Sequence, residues 1–218
     1  MARYDAPMAE SVNSDGRGRF IVLDGVDGCG KSTQARRLIE ALGRDGGPEP
    51  LHLREPGSSV VGERIRAVLL DGALEIEPGT ETLLFAAARR QTLADLVAPA
   101  LAAGRHVVCE RFHPSTFAYQ AVAGELEEER VLGLLEEWAG DPAPDLVILI
   151  DTPPRTAAGR LDATADRIEA KGLEFQERVA QGYRRYAERV PETIVVDGTV
   201  GIDEVAAQIL GEVQRAWA

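Results

Sequence analysis

The stretch GVDGCGKST occupies residues 25–33 and directly follows the apolar run RFIVLD of residues 19–24. It fits the pattern G-x-x-x-x-G-K-[ST], in which glycines let backbone N–H groups close around phosphate oxygens. The segment KSTQARRLIEALG that follows is typical of a helix, and the unpaired N–H groups at a helix N-terminus favour an anion. A buried strand, a glycine-rich turn and a helix in this order therefore predict a phosphate-binding loop.

The motif also gives roles to side chains in the loop. Lys31 is expected to reach the β- and γ-phosphates of a nucleotide, and the Ser32 hydroxyl is expected to ligate Mg²⁺. The nucleotide-binding residues predicted on this basis are Gly25, Val26, Asp27, Gly28, Cys29, Gly30, Lys31, Ser32 and Thr33. A glycine-rich turn that matches by chance is the alternative, and the flanking strand and helix count against it.

Length and composition are those of an ordinary globular protein. The chain has 218 residues, of which 44% are hydrophobic and 28% charged, enough for one large domain. Its formal charge of −12 argues against a nucleic-acid polymer as partner, because the phosphate backbone would be repelled. No apolar run is long enough to span a membrane, so no membrane partner is expected.

The cysteines and the N-terminal segment bear on location and domain boundaries. Cys29 and Cys109 indicate neither a disulfide framework nor a zinc site, which favours a reducing, cytoplasmic setting. Residues 1–18 lack an apolar core and are expected to be a polar, disordered tail rather than a secretory signal. We expect residues 19–218 to form a single domain.

Five short apolar runs alternate with helical patterns along the chain. The runs are residues 19–24, 50–54, 105–110, 145–151 and 192–197. All but 50–54 are rich in Val and Ile with little alternation, which is typical of strands buried on both faces of a parallel sheet. The helical patterns cover residues 31–43, 60–72, 80–104 with a kink at Pro99, 127–140, 172–190 and 201–218. This alternation predicts an α/β fold with one five-stranded parallel sheet and helices on both faces.

Charged residues stand where three of the predicted strands end. Asp24 closes the first strand, Arg54 closes the second, and Glu110, followed by Arg111, closes the third. Ligands of open parallel sheets bind at the carboxyl ends of the strands, so these side chains should lie near the phosphate loop. Because guanidinium groups match phosphate oxygens bidentately, Arg54 and Arg111 predict a second, acceptor phosphate. Salt bridges to nearby acids are the alternative for each arginine.

An ordered set of motifs resembles the thymidylate kinase family, whose members phosphorylate dTMP to dTDP with ATP. The similarity spans residues 19 to 210. It includes FIVLDGVDGCGKSTQ, REPG, LLFAAARRQ, ERF, STFAYQ, PDLVILIDTPP, DRIEAKGLEF and VVDGT. The resemblance implies a three-layer P-loop NTPase fold with a short mobile lid over about residues 155–171. It further implies ATP and dTMP as substrates, Mg²⁺ as cofactor and a homodimer.

The resemblance also implies roles for individual residues. Phe85 and Arg89, four apart on one helix face, would stack on thymine and hydrogen-bond its carbonyl. Tyr119 would lie against the sugar and disfavour a 2′-hydroxyl, while Ser115, Thr116 and Gln120 would contact base and sugar edges. Asp27 would lie near the acceptor phosphate and metal, and Glu110 would hold Mg²⁺ through water. The catalytic residues expected are Lys31, Asp27, Arg111, Arg160 and Arg167. Arg160 and Arg167 are included because the phosphate loop itself carries no arginine, so the lid must supply one.

Some positions depart from the family pattern, and they lie on the acceptor side. Ser58 and Ser59 stand where the family usually has Gly and Thr, and Glu110, Phe112 and Pro114 replace Asp, Tyr and Asp. Two alternatives to a dTMP kinase stay open on the sequence alone. One is a kinase for another deoxynucleotide or a deoxynucleoside, and the other is a non-catalytic nucleotide-binding protein. A guanine-reading N-K-x-D motif is absent, which counts against a GTPase switch.

Overall fold

Five parallel strands form one sheet in the part of the chain that the computed structural model describes, which is residues 16–45, 47–160 and 172–217. The strands are β1 (Phe20–Asp24), β2 (Leu51–Arg54), β3 (Val107–Glu110), β4 (Leu146–Asp151) and β5 (Ile194–Asp197). They lie in the order β2-β3-β1-β4-β5, and each neighbouring pair is parallel. The predicted α/β class is confirmed, and the strand order places the phosphate loop after the central strand.

Helices fill the connections between the strands. They are α1 (Lys31–Leu42), α2 (Val60–Leu70), α3 (Pro78–Thr92), α4 (Ala98–Ala102), α5 (His113–Thr116), α6 (Glu128–Ala139), α7 (Pro154–Ala158), α8 (Gly172–Arg189) and α9 (Ile202–Trp217). A 3₁₀ turn over Gly43–Asp45 follows α1, and π-helical turns cover Leu93–Val97 and Phe117–Val122. No helix among the described residues is long and apolar enough to cross a membrane.

The single helix predicted over residues 80–104 is in fact two helices joined by a π turn. α3 ends at Thr92, the π turn covers Leu93–Val97, and α4 carries Pro99 in its first turn. Proline has no N–H to donate to the preceding turn, so the hydrogen-bond ladder must change there. The predicted kink therefore takes the form of a π turn just before Pro99.

Side chains from the two faces of the sheet enter two separate cores. Ile21 and Leu23 of β1 pack in one core with residues of α1 and α9, whereas Phe20 and Val22 pack in the other with the π turn and α4. This alternation along one strand is the period of two that a sheet covered on both faces requires. The result is the predicted three-layer arrangement.

One strand differs from the prediction that it is buried on both faces. β5 lies at an edge of the sheet, and the side chain of Val195 is 51% exposed. Its Val- and Ile-rich sequence resembles that of a central strand, but burial depends on a strand's place in the sheet, which the pattern does not contain. Of the predicted tail, residues 1–15 lie outside the described residues, and of the predicted lid, residues 161–171 do.

Candidate active site

A cavity of about 670 Å³ opens where the loop after β1 meets the carboxyl ends of β2 and β3. It brings together most of the residues predicted for the site. Those that line it are Asp27, Gly28, Cys29, Gly30, Lys31, Ser32, Thr33, Arg54, Phe85, Arg89, Glu110, Arg111, Ser115, Thr116, Tyr119, Gln120 and Arg160. Gly25 and Val26 belong to the same loop without lining the cavity, and Arg167 lies outside the described residues.

The phosphate loop needs glycine at two positions for steric reasons. Gly25 has a φ of 141°, and a Cβ there would lie 2.6 Å from the carbonyl oxygen of Ile150. Gly28 has a φ of 80°, and a Cβ there would lie 2.2 Å from the carbonyl oxygen of Ala157 in α7. Among the described residues, no side chain caps α1, which begins at Lys31. The N–H groups of Lys31 and Ser32 can therefore serve an anion, whereas that of Thr33 donates to the Gly30 carbonyl oxygen at 3.1 Å.

Lys31 places a buried cation inside this loop. Its Nζ donates to the carbonyl oxygens of Gly25 and Val26, at 2.8 and 2.9 Å, and lies 3.9 Å from the Asp27 carboxylate. The side chain is only 7% exposed. Phosphate oxygens are stronger partners for an ammonium group than neutral carbonyls are, so the loop is suited to a polyphosphate.

Asp27 connects two other predicted residues, Arg111 and Tyr119. Its carboxylate forms an ion pair with the Arg111 guanidinium and accepts a hydrogen bond of 2.9 Å from the Tyr119 hydroxyl. Burial raises the pKa of Asp27, but the charges of Arg111 and Lys31 outweigh it and lower that pKa to about 2. Arg111 has a φ of 69°, a left-handed conformation that is uncommon for non-glycine residues. A charged, ordered group thus faces the cavity beside the phosphate loop.

Asp24 supports the site, although sequence reasoning did not assign it a role. The residue is fully buried and its two carboxylate oxygens accept five hydrogen bonds. The donors are the backbone N–H groups of Gly25, Phe112 and Ser115 and the hydroxyls of Ser115 and Tyr183, at 2.7–3.0 Å. Asp24 therefore ties the phosphate loop to α5 and α8. The sequence signal that could have indicated this role is that Asp24 is an acid at the end of an apolar strand.

Ser32 and Glu110 provide oxygen ligands next to the phosphate loop. The Ser32 hydroxyl donates to Oε2 of Glu110 at 2.5 Å, and the glutamate is 3% exposed. Within the described part of the chain, no group of three or more His, Cys, Asp or Glu side chains is placed to hold a metal. Mg²⁺ is commonly held by one or two protein oxygens together with substrate phosphates, and a hydroxyl with a carboxylate fits that arrangement.

Arg54 and Ser58 explain one departure from the family pattern. Ser58 has a φ of 68°, a conformation that favours glycine. Its hydroxyl accepts from the backbone N–H of Arg54 and donates to the Arg54 carbonyl, both at 3.0 Å. The local bonds made by the serine thus hold the turn that carries Arg54, whose exposed side chain lines the cavity.

Arg89 is the largest polar side chain buried at the site, with 2% exposure. Its Nε donates to Glu55 at 2.5 Å and its Nη2 donates to Thr116 at 3.1 Å, while its guanidinium carbon lies 4.8 Å from the Phe112 ring centroid. Among the described residues, Nη1 has no hydrogen-bond partner. The half-buried Phe85, four residues earlier on α3, lines the same cavity. Phe85 and Arg89 therefore share one face of α3 at the same cavity.

Three predicted base and sugar contacts are already hydrogen-bonded within the protein. Ser115 Oγ donates to Asp24 at 2.7 Å, and Thr116 Oγ1 accepts from Arg89. Gln120 Nε2 donates to the buried Glu81 at 3.0 Å. All three predicted residues line the cavity, and their observed bonds hold neighbouring side chains in place.

The opposite end of the cavity contains residues that sequence reasoning missed. Val200 and Ile202, after β5, supply apolar lining there. Arg160 Nη2 donates to the carbonyl oxygen of Gly198 at 3.2 Å, and Gln34 Nε2 donates to that of Ile202 at 3.0 Å. The VVDGT motif ends at this loop, but nothing in its composition indicates that it meets the phosphate loop.

Comparison with known proteins gives consistent relatives over nearly the whole chain. The model of the family "Thymidylate kinase" matches residues 23–209. The thymidylate kinase of Chromobacterium violaceum is 41% identical over 203 residues, covering 91% of this chain and 95% of the relative. That of Dinoroseobacter shibae is 44% identical over 205 residues, covering 91% and 98%. That of Thermosipho africanus is 38% identical over 197 residues, covering 90% and 98%.

One cavity thus holds a phosphate loop, an arginine and phenylalanine pair on α3 and arginines at two strand ends, and the family model matches the chain over residues 23–209. The protein belongs to the thymidylate kinase family.

Proposed function

We propose that this protein transfers the γ-phosphoryl group of ATP to dTMP, giving dTDP and ADP. The observation that carries the proposal is that one cavity of about 670 Å³ holds both kinds of site. The phosphate loop and the base-reading pair Phe85 and Arg89 both line it, together with the arginines Arg54 and Arg111. A donor phosphate and an acceptor nucleotide can therefore meet without leaving the protein, which phosphoryl transfer requires.

Charge neutralisation at the transferred group falls to three cationic side chains. Lys31 contacts the β- and γ-phosphates, and Arg54 and Arg111 contact the acceptor phosphate. Asp27, ionised because its pKa is lowered to about 2, orients Arg111. Ser32 and Glu110 would hold Mg²⁺, which would neutralise part of the phosphate charge. No covalent nucleophile is needed, because positioning and electrostatic stabilisation supply the catalysis.

Nucleoside recognition divides between the two ends of the cavity. Phe85 stacks on thymine, and the Arg89 guanidinium donates to its O4 carbonyl. Tyr119, whose hydroxyl is fixed by Asp27 at 2.9 Å, crowds the 2′ position of the sugar. At the other end, Val200 and Ile202 cover the adenine of ATP with apolar surface.

A panel of acceptors tests this proposal, with ADP release measured by a coupled assay. The wild type should use dTMP better than dUMP, dCMP or ribose-TMP. Tyr119→Phe should raise kcat/KM for ribose-TMP relative to dTMP about tenfold, because the hydroxyl held over the sugar is removed. Tyr186→Phe, a tyrosine buried away from the cavity, is the matched control and should leave the ratio unchanged. Equal use of dCMP and dTMP by the wild type would reject the thymine pocket in favour of a kinase for another nucleotide.

An arginine of the lid segment should balance the charge that develops on the γ-phosphate. Arg160 lines the cavity and is one candidate, while Arg167 lies outside the described residues and is the other. We expect either Arg160→Ala or Arg167→Ala to lower kcat at least tenfold with a smaller change in KM for ATP. If neither change reaches tenfold, Arg54 or Arg111 must supply the charge.

We also propose a homodimer formed through α2, α3 and α6. α3 packs against both α2 and α6, and the three helices expose large apolar side chains. These are Val61, Val68, Leu83 and Trp138, at 44%, 42%, 57% and 61% exposure. A symmetric contact would cover them on both copies. Sedimentation velocity would show a species of twice the chain mass, and a monomer at all concentrations would exclude this contact.

A further inference from the structure

The Glu110 carboxylate is held at both of its oxygens, and only one of its partners belongs to the phosphate loop. Oε2 accepts from Ser32 Oγ at 2.5 Å, and Oε1 lies 2.8 Å from Nε2 of His52. The Glu110 side chain is 4% exposed, whereas the His52 side chain is 37% exposed and does not line the cavity. His52 therefore touches the proposed metal-holding acid from outside the site.

The strand register explains how the two side chains meet. β2 and β3 are parallel, with His52 beside Val108 and Arg54 beside Glu110. Residues two apart on a strand share a face, so His52 is the diagonal neighbour of Glu110 on the same face of the sheet. Long side chains reach such diagonal neighbours. A glutamate has one more methylene than the aspartate usual in the family, and that methylene adds one rotatable bond to the side chain. Rotation about this bond must be restricted if the carboxylate is to hold one position.

We propose that His52 is a positioning residue for Glu110. The imidazole donates from Nε2 to Oε1, since a carboxylate partner requires the proton on that nitrogen. This bond fixes the longer arm so that Oε2 meets the Ser32 hydroxyl beside the phosphate loop. His52 thus compensates for the exchange of aspartate by glutamate. The inference depends on one part of the proposed function, which is that Glu110 helps to hold Mg²⁺.

A purely structural pair would behave differently. A hydrogen bond between a partly exposed histidine and a buried glutamate that served only the fold would contribute little to stability, and it would have no reason to affect how Mg²⁺ promotes nucleotide binding. Loss of an outer hydrogen-bond partner of a metal-holding side chain typically weakens metal affinity about tenfold or more. Metal-dependent binding therefore distinguishes the two roles.

The test compares His52→Leu with His52→Gln by titration calorimetry of ADP, with saturating Mg²⁺ and with chelator. In the wild type, Mg²⁺ should tighten ADP binding. His52→Leu should reduce that Mg²⁺-dependent gain about tenfold while ADP binding in chelator is unchanged. His52→Gln retains an N–H donor at the same reach and should stay within about twofold of the wild type. Thermal unfolding of each variant confirms that it is folded.

A double-mutant cycle tests whether the effect of His52 depends on the length of the side chain at position 110. Glu110→Asp removes the arm that His52 holds, so His52→Leu should have less than about a twofold further effect in that background. Equal effects of His52→Leu in both backgrounds, or no effect on the Mg²⁺-dependent gain in the wild type, would overturn the proposal. Because these measurements need neither dTMP nor turnover, their outcome is independent of whether dTMP is the acceptor.

Discussion

Replacing Lys31 by alanine should lower kcat by about 10²- to 10³-fold while leaving the fold intact. The ammonium group lies among the carbonyl oxygens of its own loop and is 7% exposed, so it acts in a site from which water is largely excluded. A buried cation at the oxygens where charge gathers is worth ~3–4 kcal/mol in the transition state. The loop has no other lysine or arginine to replace it.

The measurement is steady-state turnover of ATP with dTMP, together with thermal unfolding to confirm the fold. Arg37→Ala is a suitable control. It also removes one positive charge from α1, but the Arg37 guanidinium pairs with Asp203 and lies outside the cavity. We expect its kcat to stay close to that of the wild type. A Lys31→Ala enzyme that kept more than a tenth of wild-type kcat would contradict the role given to the phosphate loop.

Replacing Arg89 by alanine should remove base selection and also destabilise the protein. Arg89 offers only donors, so it can meet the O4 carbonyl of thymine but opposes the 4-amino group of cytosine. We therefore expect the wild type to prefer dTMP over dCMP in kcat/KM by about 30- to 1,000-fold, or ~2–4 kcal/mol. The substitution should bring that ratio close to one.

The stability effect of the same substitution comes from Glu55. Burial raises the pKa of Glu55, and Arg89 opposes that rise. Without the arginine, a carboxylate that is 4% exposed loses its charged partner, which costs about 3–5 kcal/mol. The pKa of Glu55 then rises further, so the folded state binds a proton that the unfolded state has lost. The variant's stability should accordingly fall as pH increases above 4.5, the ordinary value for this group.

The double variant Arg89→Met with Glu55→Gln separates these two effects. It removes the charge pair as a unit, so it should regain much of the lost stability without regaining selection between dTMP and dCMP. Unfolding midpoints and kcat/KM for both nucleotides are the readouts. An Arg89→Ala enzyme that still preferred dTMP over dCMP at the wild-type ratio would show that thymine is read by another group.

The phosphate loop and the ends of the strands could be predicted from sequence because they depend on local chemistry. Gly25, Lys31 and Ser32 stand at fixed spacing in one continuous segment, and the segment carries its own strand and helix. Phe85 and Arg89 were predicted as a pair because the family resemblance gave them a role and their spacing of four places them on one helix face. The rule that ligands bind at the carboxyl ends of parallel strands predicted only that Arg54, Glu110 and Arg111 lie near the phosphate loop.

The supporting contacts could not be predicted, because each joins segments distant in sequence. The bonds from Ser115 to Asp24, from Arg89 to Glu55 and from His52 to Glu110 all depend on which strands and helices are neighbours. The edge position of β5 has the same origin. The helix α5 and the π turn that follows it were missed for a different reason, since residues 113–122 mix aromatic, polar and small residues without a regular period.

The fate of the phosphoryl group is the most direct test of the central claim. ATP labelled in its γ-phosphate would be incubated with the enzyme, Mg²⁺ and dTMP, and the products separated and identified by mass spectrometry. The account predicts that the label appears in the β-phosphate of dTDP, with one ADP formed for each dTDP. Label released as inorganic phosphate, or no transfer by an enzyme that still binds ATP, would contradict it.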